Sequence, residues 1–86
     1  MRRSAIAVVL LLVAGPAIAG PTCTTEPKAN WISETAMKAK IAQAGYSYRV
    51  FKVTTGNCYE IYGRDKAGKR IEVYFHPING NVVEQH

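Results

Sequence analysis

With 86 residues, 20% of them charged and 48% apolar, the chain has the make-up of one small globular domain and no room for a multidomain enzyme. Its formal charge of +5 falls to +3 once Arg2 and Arg3 are set aside, leaving nine Lys and Arg against six Asp and Glu. Those cations are scattered, which excludes a polybasic tail.

Residues 1–19 read as a signal peptide. Arg2 and Arg3 form the charged region, Ala5–Ala14 the apolar region, and Ala17-Ile18-Ala19 a small-x-small cleavage site. Cleavage after Ala19 leaves Gly20–His86, 67 residues, delivered to the periplasm or the exterior. The apolar run is half of the about 20 residues that a bilayer crossing needs, and no second run follows. The mature chain is therefore expected to carry no transmembrane segment. A lipoprotein reading would make Cys23 the mature N-terminus, but Gly20-Pro21-Thr22 lacks the Leu such a site has.

Residues 20–30 contain two prolines and no periodicity, so they read as an extended tail ahead of a domain over residues 31–86. A domain this small buries only about 60% of its unfolded surface, and a covalent tie would reinforce it. A Cys23–Cys58 disulfide would close a loop of 36 residues counting both ends. The chain-entropy model values that at roughly 4 kcal/mol.

Trp31–Ala44 reads as a helix, with Asn30 as candidate N-cap and Gly45 at the C-terminal glycine position. Ile32, Met37, Ile41 and Ala44 line one face, and Glu34 and Lys38 form an i, i+4 pair. Tyr46–Thr54 is a first strand with broken alternation. Tyr46, Tyr48 and Val50 share one parity, Phe51 and Val53 the other, so either a bulge lies near Val50-Phe51 or both faces are partly covered. Thr55-Gly56-Asn57 then turns the chain.

Cys58–Arg64 and Arg70–Phe75 alternate cleanly around the turn Asp65-Lys66-Ala67-Gly68-Lys69, and Pro77-Ile78-Asn79-Gly80 leads into a short end strand, Val82–Glu84. Pairing Asp65 with Lys69 sets Ile61 opposite Val73 and Tyr59 opposite Phe75, facing the helix. The other face then holds Tyr62 opposite Glu72, Glu60 opposite Tyr74, and Cys58 opposite His76. A disulfide at Cys58 would thus draw the tail across the outer face or its edge. The fold expected is α+β: one N-terminal helix on a three- to four-stranded antiparallel sheet.

This stretch also resembles a known family. A Tyr-Glu strand, an Asp-x-x-Gly-Lys turn, an apolar strand ending in Pro-x-x-Gly and a closing Val-Val are similar to the PepSY domain, found in small exported bacterial proteins and in propeptides of thermolysin-type metallopeptidases. The helix ending Ala44-Gly45-Tyr46 fits the same pattern, and the resemblance covers residues 31–84. It implies a non-enzymatic domain that binds another envelope protein, such as a peptidase, and restrains it. The chain departs from the pattern at His76 and Asn79, where the family usually has Asp and Thr.

No catalytic, metal or cofactor set is legible. His76 and His86 are far from any partner in sequence, Ser33 and Ser47 lack a triad context, and no phosphate loop exists. Export and modest charge exclude a nucleic-acid partner. The candidate interaction face is the stripe Glu60, Tyr62, Glu72, Tyr74 and His76, in which tyrosines offer contact area and His76 a charge that can change near neutrality. A second candidate is the basic hairpin tip of Arg64, Lys66, Lys69 and Arg70, suited to anionic lipid or polysaccharide. Oligomeric state leaves no mark on the sequence.

Overall fold

The computed structural model describes residues 20–86. The signal-peptide expectation, with its cleavage site at Ala17-Ile18-Ala19, lies outside the described residues. Among the described residues, a 3-10 turn at Lys28–Asn30 precedes one α-helix, α1 (Glu34–Gln43), and four strands follow: β1 (Ser47–Val53), β2 (Tyr59–Arg64), β3 (Arg70–Phe75) and β4 (Val82–Gln85). The strands form one antiparallel sheet in the order β1-β2-β3-β4. The architecture is α+β, as the alternation requires.

The helix is shorter than the sequence suggests. Ser33, not Asn30, caps it, its Oγ accepting from Ala36 N at 3.1 Å. Trp31 and Ile32 stay extended because the sheet claims them. Tyr59 Oη donates to Ile32 O at 2.6 Å, the Trp31 ring meets Tyr59 edge-on at 5.5 Å, and Ile32 N donates to Pro77 O. At the other end Gly45 adopts φ +95°, with Tyr46 N bonded to Ile41 O and Gly45 N to Ala42 O, the paired closure that favours glycine there. Only Met37 and Ile41 of the helix are buried; Ala44 is exposed. Lys38, read as a partner for Glu34, lies instead over the Phe51 ring at 4.9 Å.

The core lies between helix and sheet. Met37 and Ile41 pack on Tyr59, Ile61, Ile71, Val73 and Phe75, with Tyr46, Tyr48, Phe51 and Val53 at its border. Both parities of β1 reach this core because a bulge shifts the register between Tyr48 and Val50. The β2–β3 register is the one expected, with Tyr59 opposite Phe75 and Ile61 opposite Val73, and Asp65 N donates to Lys69 O at 2.9 Å.

Candidate functional site on the outer face of the sheet

The face turned away from the helix divides into two halves along the strands. Near the Cys58 end, the N-terminal tail lies across it. Cys23 is bonded to Cys58, Cys23 N donates to Gly56 O at 2.8 Å, and Asn57 Nδ2 donates to Thr24 O at 3.0 Å. The tail reaches the middle of the face: a Cβ on Gly20 would fall 2.6 Å from the Tyr74 ring. Cys58, Glu60 and Tyr74 are consequently buried, with Glu60 only 2% exposed.

The expected stripe is therefore not one continuous surface. Glu60 and Tyr74 lie beneath or beside the tail; Glu72 and His76 are half-buried; Tyr62, at 40%, is the exposed member. His76 serves the adjoining turn, its Nδ1 accepting from Ile78 N at 3.2 Å. The covering tail accords with the parity of Cys58, but its extent does not follow from it, because parity shows which face a residue takes and not how far a strap reaches.

The buried half contains two carboxyl groups and a phenol. Tyr74 Oη donates to Glu72 Oε2 at 2.8 Å. Glu60 Oε1 stands 3.7 Å from Lys52 Nζ, while Oε2 has no hydrogen-bonded partner when both carboxyls are ionised. Burial first, and the neighbouring Glu72 second, push the Glu60 carboxyl above its ordinary value. Glu72 is held below its own, chiefly by the hydrogen bond from Glu60. The opposed directions make Glu72 the carboxyl that ionises first and Glu60 the one that keeps its proton longer as pH rises. Burial and the bond to Glu72 push the Tyr74 hydroxyl well up, so it remains a donor.

The other half, towards the β2–β3 turn, is open and basic. A concavity of about 510 Å³ is lined by Ser47, Arg49, Val50, Tyr62, Arg64 and Arg70. Ser47, Arg64 and Arg70 stand on one rung across three strands, and Val50, Tyr62 and Glu72 on the next rung of the same face. The bulge brings the β1 backbone down onto Gly63, where a Cβ would fall 1.9 Å from Ser47 O. Any side chain at Gly63 would push β1 away.

The four residues of the basic tip are all exposed but do not act together. Arg64 and Arg70 line the concavity, and Arg64 Nη1 donates to Gly68 O at 2.9 Å. Lys66 lies against Gly45 at the C-terminus of α1, on the opposite side. Sequence reasoning missed Arg49, Ser47 and Val50 as members of this site. The broken parity of β1 was the available signal, since a bulge re-aims the side chains beside it.

Among the described residues, no group of three His, Cys, Asp or Glu side chains is placed to hold a metal ion, and no helix is long and apolar enough to cross a membrane. A family model described as peptidase propeptide and YPEB domain matches residues 3–86. No curated protein and no solved structure matches the chain.

Proposed function

The chain belongs to the peptidase propeptide and YPEB domain (PepSY) family, and from that premise we propose that it is a non-enzymatic exported domain that binds another envelope protein, such as a peptidase, and restrains it. The family match over residues 3–86 carries this reading, since the family is commonly a propeptide or inhibitor-like module and typically extracytoplasmic. The disulfide accords with an oxidising compartment, reached by removal of residues 1–19. Restraint needs no chemistry from the chain, only a rigid surface that occupies the partner's cleft. The open half of the outer face is the surface that suits it, with Tyr62 as its exposed aromatic anchor.

The test is titration of the purified, oxidised protein into a thermolysin-type metallopeptidase assay, alongside peptidases retained from the producing organism's envelope extract. Reversible inhibition that weakens about tenfold in Tyr62→Ala, the scale of a modest interface anchor, is the expected result. Tyr62→Ala should leave the fold intact, because the ring is exposed; Tyr74→Ala would not serve, because that ring is buried. Failure to slow any peptidase would sink the reading. A second reading, an envelope-surface module that meets anionic lipid or polysaccharide through Arg64, Lys66, Lys69 and Arg70, draws support from the exposure of all four. It requires binding that collapses as salt rises and when Lys66 and Lys69 are neutralised.

A further inference from the structure

Arg64 and Arg70 face each other directly across β2 and β3. Like charges so placed destabilise a sheet unless an anion stands between them. The nearby acids of the chain are engaged elsewhere. Glu72 accepts from Tyr74 and shares an adjoining hollow with Tyr62 and Arg70 without an ion pair to either arginine, Asp65 Oδ1 accepts from the amides of Ala67 and Lys69, and Glu60 is beside Lys52. The ion pairs among the described residues are Lys52–Glu60 and His86–Glu84, so Arg49, Arg64 and Arg70 face the concavity without an acidic partner there. Its floor is not polar throughout: Tyr62 and Val50, 40% and 38% exposed, line it beside the arginines.

We propose that this concavity binds an extended, acidic segment of a partner protein, its carboxylates held by Arg49, Arg64 and Arg70 and its side-chain stems lying on Tyr62 and Val50. The proposal rests on the restraint reading for the partner being a protein and adds the chemistry by which that partner is recognised. Guanidinium forks match carboxylates two bonds at a time, which a lysine cannot do. Neighbouring strands are ~4.8 Å apart and residues two apart in an extended chain present carboxylates ~6.6 Å apart on one side, a difference that the long arginine side chains can span by splaying. A concave, partly apolar site also discriminates against a flat anionic membrane. A membrane would be drawn to all four exposed cations of the tip, the lysines included.

The probe is a blocked peptide, Glu-Val-Glu-Val-Glu, titrated into the oxidised protein at about 0.15 M salt, where exposed charges beyond ~8 Å are largely screened. Amide NMR shifts of Tyr62, Gly63 and Arg70 report occupancy. The expected result is saturable binding that falls at least tenfold for the Gln-Val-Gln-Val-Gln counterpart. It should fall equally in the Arg64→Gln/Arg70→Gln variant and stay within twofold in Lys66→Gln/Lys69→Gln. An Arg70→Lys variant should bind several-fold more weakly, having kept its charge and lost its fork. Equal loss in the lysine variant, or equal binding of the neutral peptide, would overturn the proposal. So would binding to phosphatidylglycerol vesicles with none to the peptide. Peptidase inhibition that survives Arg64→Gln/Arg70→Gln would overturn this site while leaving the restraint reading in place. Peptide binding without any peptidase inhibition would do the reverse.

Discussion

The two halves of the outer face share strands, register and side-chain alternation, yet one is interior and the other is surface. At the Cys58 end the tail makes Glu60 and Tyr74 part of the interior; at the turn end Tyr62 and Val50 stay in water. The charges divide with the burial. The covered half holds the Glu60 carboxyl, the open half holds Arg49, Arg64 and Arg70, and half-buried Glu72 stands at the border between them. Sheet chemistry alone does not decide which half is core. The disulfide at Cys23 does, by fixing a strap over one end only.

Breaking the strap is the largest test of that comparison. Cys23→Ser releases a link between residues 35 apart in sequence and should cost roughly 4 kcal/mol, read as a lowered urea midpoint under oxidising conditions. The same variant should expose Tyr74 and leave the amide shifts of Ser47, Arg64 and Arg70 nearly unchanged. If the open half shifted as much as the covered half, the two would not be independent regions.

Gly63→Ala attacks the open half instead. Its Cβ would overlap Ser47 O at 1.9 Å and the Tyr48 Cα at 2.6 Å, both backbone and unable to rotate away. Forced overpacking of this kind costs about 1–3 kcal/mol, and the upper end is expected here. Lost amide protection should be concentrated in β1, with the tail and Cys58 protected as before. A fully tolerated alanine would mean that the bulge does not hold β1 against β2 as described.

These two regions were not equally legible in the sequence. The β2–β3 register, its turn and the pairing of Cys23 with Cys58 follow from period-two alternation, turn residues and an exported pair of cysteines. The helix start did not, because Asn30 is as good a cap as Ser33 until Tyr59 and Pro77 take hold of Ile32. The basic concavity was hidden for a related reason. Arg64 and Arg70 were visible as a cluster, but Arg49 joins them only through a bulge whose position, between Tyr48 and Val50, is fixed by long-range packing of Tyr48 and Phe51. Parity also misassigned Glu60 to a surface, since alternation gives a face and cannot say what lies over it.

The smallest effect sharpens the covered half. Folding raises the Glu60 pKa above its ordinary 4.5, so the folded protein binds a proton more tightly than the unfolded chain, and stability falls as pH rises through the folded value. Folding lowers that of Glu72, so its contribution is lost as pH falls through its folded value. The groups facing the pair are Lys52 from β1, Tyr74 from β3 and His86 beyond β4. Replacing Glu60 with Gln keeps a hydrogen-bond donor for Glu72 and removes the buried charge. The loss is the attraction to Lys52, a side chain 48% exposed and 3.7 Å away, which water screens. The gain is a satisfied buried group, about 1 kcal/mol. Glu60→Gln should therefore raise the urea midpoint at pH 8, and the difference should close below pH ~3, where Glu60 is protonated in both states. A variant less stable at pH 8 would show that the Lys52 ion pair outweighs the cost of burying the Glu60 charge.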